Sequence, residues 1–153
     1  MISQLDEKPD CIAGVATGGI AIGALIAESM NLPFCYVRSS AKAHGLNNKI
    51  EGDLKKNEKV FVIEDLISSG KSSLEAVSAL EAFGVEVIGL GAIFSYGFEH
   101  AADNFKAANC SFNTLTNYNS LLEIAVKNNY IKSTDISTLK EWRKSPSNWK
   151  QNA

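Results

Sequence analysis

Short apolar runs of strand length alternate along the chain with stretches whose apolar residues recur at helical spacing. That alternation is the pattern of a parallel sheet with helices packed on both faces, so the fold class reads as α/β. The predicted strands cover residues 11–16, 34–38, 60–63, 85–94 and 111–115, each rich in β-branched or aromatic side chains, giving a twisted sheet of about five strands. Helices are predicted over 19–30 and 70–83. In the second, Leu74, Val77, Leu80 and Phe83 recur at every third position and mark a core face. Gly84 then supplies a stop, because glycine enters the left-handed conformation that ends helices at little steric cost. In the last third, Tyr118, Leu121, Leu122 and Ala125 form one helical stripe, and Ile136, Leu139 and Trp142 another. Residues 39–52 are polar and rich in turn formers, and read as a long loop. With no internal repeat and no low-complexity linker, 1–153 reads as a single domain.

Composition narrows the function classes. A chain of 153 residues, 45% of them hydrophobic, closes one sizeable core. A formal net charge of -2 without a Lys/Arg block gives no footprint for nucleic acid or an anionic membrane surface. The longest apolar stretch, 85–94, is interrupted by Glu86 and is far shorter than the roughly 18 residues that a membrane span needs. Residues 1–9 lack the basic and apolar regions of a secretion signal. Cys11, Cys35 and Cys110 lie too far apart for a metal clip or a disulfide framework, so reduced thiols and a cytoplasmic setting are expected. Cys11 and Cys35 sit in apolar runs and read as small core residues. The sequon at Asn109-Cys110-Ser111 reads as incidental. No cluster of His, Cys and carboxylates has metal-ligand spacing.

The candidate chemistry follows the apolar strand 60–63. Glu64 and Asp65 stand at its C-terminal end, where parallel α/β sheets bind their ligands. Leu66 and Ile67 come next, then Ser68, Ser69, Gly70, Lys71, Ser72 and Ser73, a small-residue turn that opens directly into a helix. Such a turn offers a phosphate unpaired amides, the positive end of the helix dipole and hydroxyl donors. Two carboxylates beside it would accept hydrogen bonds from vicinal sugar hydroxyls, so the spacing fits ribose 5-phosphate. A P-loop would need glycine where Asp65 stands, and Gly14, Gly18, Gly19 and Gly23 miss the dinucleotide spacing, so neither an ATPase loop nor an NAD site is indicated. The plainer reading of Glu64 and Asp65 is a solvated pair capping the helix ahead; that of 68–73 is an ordinary first turn.

The apolar strand, two acidic residues, two apolar residues and Ser-Ser-Gly loop of 60–73 resemble the 5-phosphoribosyl 1-diphosphate (PRPP) signature of type I phosphoribosyltransferases. The run Arg38-Ser39-Ser40-Ala41-Lys42-Ala43-His44-Gly45 resembles the catalytic loop, R-x-x-x-K-x-H-G, of the orotate members. The similarity continues through Ile93-Phe94-Ser95-Tyr96 and the terminal Glu141-Trp142-Arg143-Lys144-Ser145-Pro146. It implies the type I phosphoribosyltransferase core and Mg²⁺-dependent transfer of ribosyl 5-phosphate from PRPP to orotate, giving orotidine 5′-monophosphate for pyrimidine synthesis. It further implies a homodimer with shared active sites. PRPP contacts would come from Arg38, Lys42, His44, Glu64, Asp65, Leu66, Ile67, Ser68, Ser69, Gly70, Lys71 and Ser72. Lys42, His44, Arg38 and Asp65 would be catalytic, and Ala16, Thr17, Gly18 and Gly19 would form the diphosphate loop. Ser68 and Tyr96 would face orotate, with the metal carried by the substrate and no dedicated protein site.

The sequence departs from the family's pattern in three places. A lysine that many members carry at or near Gly18 is absent, and a basic residue that contacts orotate in many members is replaced by Tyr96. The family's N-terminal hood, which holds the base, has no counterpart before the first strand. Two alternatives therefore stay open: a PRPP or nucleotide sensor or inactive fragment that binds without turnover, and a purine transferase, against which the 38–45 loop argues. Lys42 and His44 have a plainer reading as exposed loop residues, and His100 reads as a surface helix residue.

Overall fold

The computed structural model describes residues 2, 7–38 and 49–149. Among these, the elements are β1 (Cys11–Val15), α1 (Gly18–Met30), β2 (Phe34–Val37), β3 (Ile50–Gly52) and β4 (Lys59–Ile67). They continue with α2 (Lys71–Phe83), β5 (Glu86–Ser95), α3 (Glu99–Ala107), β6 (Phe112–Asn117), α4 (Tyr118–Lys127) and α5 (Ile136–Lys144). The six strands form one sheet in the order β3-β2-β1-β4-β5-β6. All neighbours are parallel except β2 and β3.

The sixth strand corrects the expectation of about five. β3 lies within the stretch read as loop and pairs antiparallel with β2, Val37 opposite Ile50 and Cys35 opposite Gly52. It is three residues long with Ile50 as its one buried side chain, too short to show an alternation in sequence. Residues 39–48, the rest of that loop, lie outside the described residues.

β1 is buried on both faces, which is why its residues show no apolar-polar alternation. Side chains along the central strands divide the core by their period of two. Cys11, Ala13, Val60 and Val62 pack with Ala76, Val77 and Leu80 of α2 and with Ala101 and Phe105 of α3. Ile12, Phe61 and Ile63 face the other way, against Ala27, Ile22 and Ile26 of α1. The predicted stripe on α2 holds: Val77 and Leu80 are buried, and Leu74 and Phe83 pack against the same cluster. Gly84 ends that helix in the left-handed region, with φ 103°. Cys11 and Cys35 are free thiols buried in the core.

The C-terminal helices attach through aromatic rings. Trp142 of α5 lies 5.4 Å from the Tyr118 ring and 5.8 Å from Tyr96, and the Tyr118 hydroxyl donates to the Leu139 carbonyl at 3.4 Å. Tyr118 and Leu122 are buried, but Leu121, counted in the same stripe, is 49% exposed. Among the described residues, no helix is long and apolar enough to cross a membrane.

Candidate functional site at the end of the central strands

β4 is longer than the strand predicted over 60–63, and its length builds the site. β1 accompanies it only as far as the pair Gly14–Ile63, whereas β5 continues to Ile67–Ser95. Glu64, Asp65, Leu66 and Ile67 therefore lie inside the strand rather than after it. On the β1 side they are not paired to another strand; Gly18 lies against Asp65 there, and Gly19 against the Ile63–Glu64 backbone, both at the start of α1. The expected location at a parallel strand end is correct relative to β1, and sequence alone did not show that β5 would carry β4 further.

Glu64 and Asp65 point to opposite faces of the sheet. Glu64 turns toward α2 and is only 4% exposed. Its Oε2 accepts the Ser73 hydroxyl at 3.0 Å and the Ser72 hydroxyl at 3.2 Å, while Oε1 accepts the Asp65 amide at 3.1 Å. Loss of solvation at this buried position pushes the Glu64 carboxyl up to about 7. The neighbouring Asp65 side chain adds to the rise, and the Ser73 hydroxyl opposes it. Asp65 turns the other way, half-exposed, and its Oδ1 accepts the Leu66 amide at 2.7 Å. A methyl group added at Gly18 would collide with the Asp65 carboxylate. Asp65 and the predicted diphosphate loop are thus in direct apposition, and a side chain at Gly18 would displace the acid. The Ala16–Thr17 peptide bond of this loop is cis, Thr17 and Gly18 are exposed, and Gly19 is buried.

The turn between β4 and α2 has the form expected of a phosphate cradle. Gly70 adopts φ +78°, and a Cβ there would lie 2.5 Å from Cε2 of the buried Phe105, so both conformation and space demand glycine. Ser68 is exposed at the tip. The Ser69 hydroxyl accepts the Lys71 amide at 3.4 Å, and the Ser69 carbonyl accepts Asn104 Nδ2 at 3.0 Å. The first-turn amides of α2 have no intrahelical acceptors, and of these the Lys71 amide is taken by Ser69. The capping reading of Glu64 is met in a different form, since it receives first-turn hydroxyls and no backbone amide of the helix.

The remaining predicted residues are distributed around this centre. Arg38 follows β2, where its Nη1 pairs with Glu51 Oε1 of β3 at 3.1 Å, and Glu51 also accepts the Tyr36 hydroxyl at 3.0 Å. Leu66 is 40% exposed and Ile67 is fully buried, so Ile67 offers a ligand its backbone only. Lys71 is exposed on the first turn of α2. Tyr96, expected to face the base, has its ring packed among Phe94, Phe98, Tyr118 and Trp142 at centroid distances of 5.1, 5.4, 6.1 and 5.8 Å. Its amide donates to the Ile67 carbonyl at 3.1 Å, which sets the start of the β5–α3 connection beside Ser68. His100 is exposed on α3 and stacks on Phe98. Lys42 and His44 lie outside the described residues. Among the described residues, no group of three or more His, Cys, Asp and Glu side chains is arranged to hold a metal ion.

The family model of the phosphoribosyl transferase domain matches residues 1–125. The chain belongs to this family. Orotate phosphoribosyltransferase of Cytophaga hutchinsonii is 55% identical over 142 residues, covering 93% of this chain and 68% of the relative. That of Porphyromonas gingivalis is 51% identical over 149 residues, covering 97% and 71%. The chain therefore spans about two thirds of the length of the curated relatives it matches. Among solved structures, orotate phosphoribosyltransferase of Aeropyrum pernix superposes with a TM-score of 0.68 at 28% identity, covering 75% of this chain and 64% of that one. The Mycobacterium tuberculosis orotate phosphoribosyltransferase in complex with PRPP gives 0.64 at 25% identity, covering 76% and 67%. The resemblance drawn from the motifs at 38–45 and 60–73 is borne out by these relatives, as is the α/β fold class.

Two supports of the site were not seen in sequence. Asn104 and Phe105 of α3 brace the turn 68–73 from a helix with no motif of its own, and only the folded sheet brings them to Ser69 and Gly70. Ser73 was noted as part of the turn, but its buried hydroxyl contact with Glu64 could not be read from spacing.

Proposed function

We propose that this chain transfers the ribosyl 5-phosphate group of PRPP to N1 of orotate, releasing diphosphate and forming orotidine 5′-monophosphate. The observation that carries this reading is the convergence of Asp65, the loop 16–19 and the turn 68–73 at one end of the central strands, in a chain whose near relatives are named for that reaction.

In this reading the amides and hydroxyls of Ser68, Ser69, Gly70, Lys71 and Ser72 hold the 5′-phosphate. Asp65, and Glu64 after release of its serine contacts, accept the ribose hydroxyls. The backbone of Ala16, Thr17, Gly18 and Gly19 approaches the diphosphate. The C1′–oxygen bond to diphosphate breaks as the N1–C1′ bond forms, N1 gives up its proton, and positive charge builds on the sugar. Arg38 stabilises the negative charge of the leaving group, with Lys42 and His44 assigned to the same task by their loop's resemblance. The base lies toward Ser68 and Tyr96.

The family's metal is Mg²⁺, and among the described residues no cluster of side chains is arranged to hold it, so it would be carried by the diphosphate and ribose hydroxyls, with Asp65 the carboxylate placed to face it. When bound, the metal neutralises charge on the diphosphate. We further infer a homodimer in which the 38–45 loop serves the neighbouring subunit's site, and a cytoplasmic setting in keeping with the three free thiols.

The test is incubation of the chain with PRPP, orotate and Mg²⁺, with chromatographic measurement of orotidine 5′-monophosphate and diphosphate. Equimolar appearance of the two supports the reading. PRPP binding without either product would favour the sensor reading. Transfer to adenine or guanine instead would favour the purine alternative.

A further inference from the structure

Orotate differs from an ordinary pyrimidine by a carboxylate, so a site selecting it should present a fixed cation at the base end of the cradle. Tyr96, which starts the β5–α3 connection at that end, carries no charge, and its ring is occupied by its aromatic neighbours. The backbone at that point offers a different solution. Tyr96 is hydrogen-bonded to Ile67, so Gly97 lies within about two residues' reach of Ser68 across the β4–β5 edge. Gly97 has no side chain, and a Cβ placed on it would be 3.7 Å from Nη1 of Arg143. A guanidinium from α5 thus stands where the β5–α3 connection itself supplies no charge.

Arg143 is held in place by two neighbours from the start of α4. Nη1 donates to Asn119 Oδ1 at 2.9 Å, and its guanidinium carbon sits 5.9 Å from the centre of the Tyr118 ring, a cation–π distance. Among the described residues no carboxylate lies within ion-pair distance of it. Its planar group carries five donors and Asn119 engages one, which leaves donors free for a carboxylate. Gly97, Asn119 and Arg143 line an open cavity of about 860 Å³ between α3, α4 and α5. Glu99, Asp103 and Glu123 line the cavity together with Lys140 and Lys144, so its charges are mixed, and Arg143 is the cation that reaches the Gly97 side.

We propose that Arg143 is the specificity-determining residue of this chain, pairing with the carboxylate of the pyrimidine. The inference rests on the orotate reading above and adds the residue that distinguishes orotate from uracil. Its plain competitor is a structural role, in which Arg143 only ties α5 to α4 through Asn119 and Tyr118.

The test uses equilibrium binding, so it does not depend on turnover. Dissociation constants of the whole chain are measured calorimetrically for orotidine 5′-monophosphate, for uridine 5′-monophosphate, which lacks the carboxylate, and for PRPP. The wild type should bind the carboxylated nucleotide about 10- to 100-fold more tightly than uridine 5′-monophosphate, the range expected of a charge-assisted hydrogen-bonded pair. Arg143→Gln should bring that ratio to about one while leaving the constants for uridine 5′-monophosphate and PRPP within about twofold. Arg143→Lys, which keeps the charge but not the fork, should give an intermediate ratio and serves if the glutamine variant fails to fold. An undiminished ratio in either variant overturns the proposal, as does a wild type that binds PRPP and both nucleotides without preferring the carboxylate. A wild type that binds none of the three overturns the orotate reading and this proposal with it.

Discussion

Replacing Glu64 with glutamine removes a carboxylate from a position that is only 4% exposed, and the consequence should depend on pH in a defined way. In the folded chain the carboxyl binds its proton more tightly than usual, with its titration raised from 4.5 to about 7. A raised carboxyl contributes stability that is fully present below its unfolded value and is lost as pH rises through its folded value. The wild type should therefore lose about 2–3 kcal/mol of stability between pH 5 and pH 8 through this group. Glu64→Gln cannot titrate and loses none of it. Its amide nitrogen will oppose one of the three donors that the carboxylate now accepts, Ser72, Ser73 or the Asp65 amide. That mismatch costs about 1–3 kcal/mol, but it is independent of pH and cancels from the difference. Denaturant unfolding of both proteins at pH 5 and pH 8 reads the effect: the stability of the variant relative to wild type should improve by about 2–3 kcal/mol across that interval. In melting temperature this is a relative gain of roughly 5–10 °C for a chain of this size. Parallel behaviour of the two proteins at both pH values would refute the reasoning and place the Glu64 carboxylate in solvent.

Two glycines at the site should fail in different ways when changed. Gly70→Ala puts a methyl group on a left-handed residue and against Phe105, so the denaturant midpoint should fall by an amount equivalent to about 1–3 kcal/mol with an unchanged slope. Gly18→Ala puts a methyl group onto the Asp65 carboxylate and 2.9 Å from the Asp65 Cβ, so the whole side chain must give way; stability should fall by about 0.5–1.5 kcal/mol, while calorimetry should show PRPP affinity weakened about tenfold, the cost of one displaced charge-assisted contact.

Much of the fold was legible because long elements carry long patterns. The α2 stripe of Val77 and Leu80 and the stop at Gly84 follow from spacing and from glycine's backbone freedom, and the structure repeats them. β3 was not legible, since three residues cannot display a period and its pairing partner fixes it from outside. The extension of β4 past Ile63 was hidden for a related reason: polar Glu64 and Asp65 end an apolar run in sequence, but β5 supplies them with a ladder partner. At the site, the order of acids, serines and glycine along 64–73 marked the location. What it could not show was the division of labour within the acidic pair, with Glu64 turned to the serines of α2 and Asp65 turned to Gly18. Side-chain direction on a strand follows from register, and register here depends on β5. The same holds for Arg143, whose meaning appears only once α5 is folded back onto Gly97.

The central claim is that the turn 68–73 receives the 5′-phosphate of PRPP, and a calorimetric titration of PRPP into the whole chain in Mg²⁺ buffer tests it most directly when paired with Ser68→Asp. Ser68 is exposed at the tip of the turn, so an added carboxylate should leave the melting temperature unchanged while repelling the phosphate. The account predicts saturable binding by the wild type, competition by ribose 5-phosphate, and at least about tenfold weaker binding by the variant. A wild type that gives no saturable heat, or a variant that binds PRPP as tightly as the wild type, would contradict it.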